Sequence, residues 1–296
     1  MQHEVPEYRK PFGASHNSAS GGTQRIDEHI LKLYLRKEYK MNFPFGAKPR
    51  AGQIVQTAVD LHLGLDNYSP IHGQKQGIDI ELAIKEAMTE FMTYQPRNWD
   101  DGRDMEDYQE IKNHIPEMVH LAVNGMKDFY GDAEIEGEYQ RWLKVDEIDV
   151  PTMLFLDYAG DGKQIDLKCS FPVRNPPKKD GTRTYRMPKP KTQPTQQQIL
   201  QQAVYWKATG YTPGLLFVTG DGYHICTEDN CDSLKEENLE RAYQDIVQRW
   251  LVIQNLLKAS HGNWKNLFGL VQPDFAAISQ WHGAEILKIA KQAWRI

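Results

Sequence analysis

Asp157, Asp166 and Lys168 are the residues most able to do chemistry, and they crowd into one stretch, LFLDYAGDGKQIDLKCS, from Leu154 to Ser170. Two apolar runs there flank Asp161-Gly162, a strong two-residue hairpin signal. Such a turn sets Gly160 opposite Lys163, Tyr158 opposite Ile165 and Asp157 opposite Asp166. Facing residues on one side of a hairpin have Cβ atoms ~5 Å apart, so the two carboxylates converge. Side chains alternate along a strand, so Lys168 joins Asp166 on one face while Ile165, Leu167 and Cys169 take the other. A register slip of one residue would part the two acids. Adjacent carboxylates repel unless a cation intervenes, and hard divalent ions such as Mg2+ or Mn2+ prefer oxygen ligands. Two acids, a cation and an ammonium suit metal-assisted phosphodiester hydrolysis. Glycoside hydrolysis fits less well, because it needs two carboxyls without a fixed cation between them. A surface Asp-x-Lys triplet, by contrast, is a common solvated cross-strand contact.

The next segment, RNPPKKDGTRTYRMPKPK, holds Arg174, Lys178, Lys179, Arg183, Arg186, Lys189 and Lys191 against the single acid Asp180. In a chain of net charge -5 this concentration is what a phosphate-tracking loop requires, and Tyr185 could stack on a base. A solvated loop has the same composition. Beyond it a helix from about Thr195 to Thr209 carries a capping box, Thr195 with Gln198, and Gly210 past its end. It presents Gln201 and Tyr205, four residues apart, on one face. They could hold a phosphate or the attacking water, or simply face solvent.

The elements that must position these residues are legible around them. GASHNSASGG (Gly13 to Gly22) reads as a loop, and Thr23 as the N-cap of a helix over TQRIDEHILKLYLRKEY. Further helices cover GQIVQTAVDLHLGL, DIELAIKEAMTEFMTY up to Pro96, and DMEDYQEIKNHIPEMVHLAVNGMKDFY, which Pro116 should kink or break. From about Ile135 the pattern turns to strands: IEGEYQRWLKV, TMLFLDY, KQIDLKCS, GLLFVTG and GYHICT. LKEENLERAYQDIVQRWLVIQNLLK and ISQWHGAEILKIAKQAW return to helix. The expectation is a single α/β domain, with a helical part at 1–130, a catalytic core at 131–228 and C-terminal helices at 229–296.

In order and spacing these motifs make the chain resemble the PD-(D/E)XK nuclease superfamily, in its RecB-type branch that includes CRISPR-associated and phage recombination exonucleases. Asp157 falls at the family's first aspartate, Asp166-Leu167-Lys168 at its D/E-x-K, and Gln201 to Tyr205 at its Q-x-x-x-Y. The likeness runs from Gly52 to Thr227. It implies a restriction-endonuclease-like mixed central sheet flanked by helices and a metal-dependent DNA exonuclease acting in phage recombination, replication or degradation. It further implies that Asp157, Asp166 and the Leu167 carbonyl ligate Mg2+ or Mn2+, with Glu138 as a further acid. Lys168, Gln201 and Tyr205 would then hold the water and the scissile phosphate. AGQIVQTAVDLHLG resembles the family's G-x-x-x-H-x-x-x-E helix, but Gln56 stands where the metal-binding histidine belongs and Asp60 where the glutamate does. An endonuclease of the same chemistry and a non-catalytic DNA-binding module are the rivals.

Many relatives hold an iron-sulfur cluster on four cysteines. Cys169, Cys226 and Cys231 are three, so no cluster is expected, and with His224 they only sketch a partial zinc site. Their sparse, unpaired spacing suggests a reducing compartment. No G-x-x-x-x-G-K-[ST] occurs, so no use of ATP is expected. No apolar run approaches the ~18 residues of a membrane span, and the charged start MQHEVPEYRK lacks a signal-peptide core. The expectation is a cytoplasmic enzyme, in a bacterial host if phage-encoded. Its partner would be DNA, mostly double-stranded ends, with a homo-oligomer or a single-strand annealing or binding protein as further partners and no membrane.

Overall fold

The computed structural model describes residues 3–43, 46–65, 77–95, 103–137 and 139–295. After a 3-10 turn over Glu7–Phe12, the small residues of the N-terminal stretch form β1 (Asn17–Ser18) and α1 (Ala19–Thr23), not the loop expected. Ser18 caps α1 by accepting from the Gly21 N–H. Small side chains let this turn sit deep: a Cβ on Gly22 would lie 2.3 Å from Trp250 Nε1. Thr23 therefore ends α1 instead of capping the next helix, α2 (Ile26–Tyr34), which runs on into a wider π turn over Leu35–Tyr39.

A helical layer follows: α3 (Ala47–Leu63), α4 (Ile80–Met92), α5 (Arg103–Ile111) and α6 (Ile115–Tyr130). Pro116 sits in the first turn of α6, where its missing N–H costs nothing, so the proline separates two helices instead of kinking one. Then come β2 (Tyr139–Leu143), β3 (Thr152–Leu156), β4 (Tyr158–Gly160) and β5 (Lys163–Cys169). The basic segment contributes β6 (Val173–Arg174) and β7 (Tyr185–Arg186), a small hairpin of its own. The chain closes with α7 (Gln196–Thr209), β8 (Thr212–Thr219), β9 (Gly222–Cys226), α8 (Glu236–Ala259), α9 (Trp264–Gly269) and α10 (Phe275–Trp294), the last interrupted at Gly283.

Mixed sheets form the centre. One runs β4-β5-β8-β9, with β5 and β8 parallel and joined through α7; the other runs β1-β3-β2. Apolar residues of α3, α4 and α6 pack on Tyr158, Ile165, Leu167, Leu216 and Val218, one face of the larger sheet. Its other face, with Leu215 and Phe217, packs on α7 and α8, and Ala19 of α1 joins that layer. Asp166 and Lys168 pair in register with Leu215 and Phe217, which points both toward α7. The described residues contain no helix long and apolar enough to cross a membrane.

Candidate active site

Asp161 and Gly162 both have positive φ, 49° and 69°, as a type I′ turn requires. The ladder that follows has the expected register, with Gly160 opposite Lys163 and Tyr158 opposite Ile165. It stops at that pair. The expected long strand through Asp157 is broken there: β3 pairs in one sheet, β4 in the other, and Asp157 occupies the bend between them. Chain switching frees its side chain, and its Oδ2 accepts the Leu167 N–H at 3.1 Å. The Asp157 and Asp166 carboxyls still meet within hydrogen-bond reach.

Electrostatics follow from this placement. Burial, and then the Asp166 charge beside it, push the Asp157 carboxyl well above the usual carboxylate range. Asp166 is 2% exposed. Lys168 Nζ donates to Asp166 Oδ1 at 2.8 Å and lies 2.7 Å from Oδ2. Burial opposes the Lys168 charge, but Asp166 and Asp157 outweigh it and hold the lysine above its ordinary value. It is therefore an ammonium at any physiological pH.

The two residues singled out on α7 find each other: Gln201 Nε2 donates to the Tyr205 hydroxyl at 2.6 Å. The hydrogen bond from α7 to the acids comes instead from Gln202, whose Nε2 donates to Asp166 Oδ2 at 3.3 Å. Gln202 is 0% exposed, and its Oε1 has no hydrogen-bond partner among the described residues. The sequence reading passed over it because the spacing to Tyr205 selected its neighbour. The usable signal was position: a polar side chain between Leu200 and the Ala203-Val204 pair, all three core residues, must meet a polar partner in the sheet.

Of the metal ligands expected, Asp157 and Asp166 are brought together and Leu167 lies between Asp166 and Lys168 on β5. Glu138 lies outside the described residues. Gln56 is half-buried on α3, one turn before Asp60, and Asp60 faces the Tyr158 hydroxyl, whose pKa burial and then Asp60 raise. No cluster of three or more His, Cys, Asp or Glu grouped to hold a metal occurs among the described residues. Two carboxylates and a carbonyl nonetheless fit Mg2+, which keeps several waters and takes one or two protein carboxylates.

The basic segment divides in two. Lys178, Lys179, Arg183, Arg186, Lys189 and Lys191 are exposed. Arg174 is instead engaged by Glu106 at 2.9 Å and Asp107 at 3.1 Å, and the Tyr185 hydroxyl donates to Asp107 at 3.3 Å. These two fasten the β6–β7 hairpin to α5, and both are half-buried. Cys226 and Cys231 are buried in the α7–α8 core. Comparison of the chain with protein-family models, with curated proteins and with solved structures returns no match.

Proposed function

We propose that this chain is a metal-dependent deoxyribonuclease with a restriction-endonuclease-like core, which hydrolyses phosphodiester bonds from DNA ends. The observation that carries the reading is the convergence of Asp157, Asp166 and Lys168 in one buried cluster on the sheet face that packs against α7. Two buried carboxyls side by side, with the proton affinity of Asp157 raised by burial and by Asp166, cost stability without a cation, and a built arrangement of that kind points to one. Held by Asp157, Asp166 and the Leu167 carbonyl, Mg2+ or Mn2+ would supply Lewis-acid activation of water and neutralise charge on the phosphate.

The chain's own groups divide the remaining work. The Leu167 N–H fixes Asp157, and Gln202 with Lys168 fixes Asp166. Lys168, kept protonated, orients the attacking water and balances charge on the pentavalent phosphorane; it is not a base. The Gln201–Tyr205 pair offers a hydroxyl and an amide to a phosphate oxygen. The exposed cations from Lys178 to Lys191 supply the backbone track.

A time course on end-labelled linear duplex and closed circular DNA, with Mg2+, Mn2+ or chelator, tests the proposal. Metal-dependent shortening of linear DNA that Asp166→Asn and Lys168→Ala abolish supports it. Cutting of closed circles would make the enzyme an endonuclease. Binding without degradation by the wild type would make it a non-catalytic module.

A further inference from the structure

A cleft of about 650 Å3 opens between α5 and the β6–β7 hairpin. Met105, Glu106, Gln109 and Glu110 line it from the helix, and Arg183 and Tyr185 from the hairpin. Met105 and Gln109 are four residues apart, as are Glu106 and Glu110, so both pairs share one side of α5. Arg183 and Tyr185 stand two apart on an extended limb and share a face of it.

Both walls are fixed in place by the protein's own contacts. Arg174 Nε donates to the Tyr185 hydroxyl at 3.1 Å, and Arg174 Nη2 lies 2.9 Å from Glu106 Oε2, so one arginine ties the hairpin to the helix. The hairpin is closed by the Asn175 N–H on the Thr184 carbonyl and the Lys178 N–H on the Thr182 carbonyl, each at 2.8 Å. Its acid, Asp180, is taken by the Thr182 N–H at 2.9 Å and hydroxyl at 2.6 Å. Lys112 holds Gln109 Oε1 at 2.8 Å. Two charged groups of the lining are less committed. Arg183 is exposed and has no hydrogen-bond or ion-pair partner among the described residues. Glu110 has a single 3.5 Å contact, from Oε1 to His114 Nε2, which leaves Oε2 open. Met105, 48% exposed, adds apolar surface.

A free guanidinium on one wall and an open carboxylate oxygen on the other, with a thioether and a phenol ring, suit a flat ligand that accepts on one edge and donates on another. Guanine is the base with both: O6 and N7 accept from an arginine fork, while N1–H and the exocyclic amine donate to a carboxylate. Adenine sets a donor beside N7, and pyrimidines have no N7. An unstacked base rests its faces on aromatic and apolar side chains. We propose that this cleft takes one unstacked guanine of a bound DNA strand. Arg183 meets its O6 and N7, Glu110 its N1–H and amine, and Met105 and Tyr185 its faces. The inference rests on the reading of DNA as substrate and gives that enzyme a base preference. Arg174 lies six residues beyond Lys168 on the chain, so their Cα atoms are at most ~22 Å apart, about six nucleotides at the duplex rise. One strand can therefore span the cleft and the carboxylate cluster.

The test is fluorescence anisotropy of labelled single strands with the full chain, in chelator so that no cleavage enters. Each strand has about ten nucleotides, all thymine except a central guanine, adenine, cytosine or abasic sugar. The guanine strand should bind at least about fivefold more tightly than the others, the low end of what one bidentate base contact discriminates. Arg183→Lys keeps the charge and loses the fork; Glu110→Gln keeps the shape and replaces an acceptor oxygen by a donor amide. Both should abolish the guanine preference, keep the affinity for the all-thymine strand within about twofold, and leave the thermal unfolding temperature unchanged. Equal affinity of wild type for all the strands, or a preference that survives in both variants, overturns the cleft and leaves the nuclease proposal standing. Absence of binding to every strand overturns it too, and the metal-dependent cleavage assay then decides the nuclease proposal on its own.

Discussion

Replacing Gln202 by methionine separates a positioning role from a structural one. The side chain keeps its length, loses its hydrogen bond to Asp166 at 3.3 Å, and loses the unpartnered Oε1. A hydrogen bond to a charged group is worth about 1.5–3 kcal/mol, and a long one falls at the lower end. Removing a buried unsatisfied carbonyl returns roughly 1–3 kcal/mol. The two nearly cancel, so urea unfolding should place Gln202→Met within about 1 kcal/mol of wild type. Asp166 meanwhile keeps Lys168 and the neighbouring Asp157 carboxyl, but no donor from α7, to hold it. A displaced carboxylate should lower the metal-dependent cleavage rate about tenfold, which is ~1.4 kcal/mol of barrier. Cleavage of end-labelled duplex at saturating Mg2+ gives that rate. A variant that loses more than ~3 kcal/mol of stability yet cleaves at the wild-type rate would make Gln202 a core strut and refute the reasoning.

Other outcomes follow from the same geometry. Gly22→Ala drives a Cβ to 2.3 Å from Trp250 Nε1 and 2.9 Å from Ile246 Cγ1, so thermal unfolding should show a loss of about 1–3 kcal/mol. Gly52→Ala, in helix α3 with open space around the new carbon, should gain ~0.5–1 kcal/mol. The raised Asp157 pKa means that the folded state holds a proton the unfolded chain has released. In chelator, stability should therefore fall as pH rises above about 4, and Asp157→Asn should flatten that slope in urea titrations across pH. Replacing Lys178, Lys179 and Arg183 together by alanine should reduce the slope of log affinity against log salt by up to about 3. Arg174→Ala should leave that slope nearly unchanged and speed proteolysis between residues 175 and 184, because this arginine is already neutralised by Glu106 and Asp107.

Local signals carried far in this chain. Asp161-Gly162 dictates a turn because both positions need positive φ, and the turn sets the β4–β5 register as far as Tyr158 opposite Ile165, one residue short of both acids. Thr195 and Gln198 close the capping box that starts α7, and Gly210 ends it with φ of 72°. What stayed hidden depends on long-range packing. The break at Asp157 arises because neighbouring strands claim the chain on either side of it, which period-2 alternation cannot express. The N-terminal small residues read as a loop because glycine and serine favour turns; their burial under Trp250 is decided by a helix more than two hundred residues away. Arg174 read as a free cation because its partners, Glu106 and Asp107, lie on a helix of acidic composition whose docking the sequence does not announce.

The most direct test of the central claim pairs metal dependence with the two acids. End-labelled duplex is incubated with wild type, Asp157→Asn and Asp166→Asn in Mg2+, and binding of Mn2+ to each is titrated by calorimetry. Shortening of the duplex by wild type alone, with Mn2+ affinity weakened in both variants, is the predicted result. Degradation that persists in chelator, or in both variants at the wild-type rate, would contradict it.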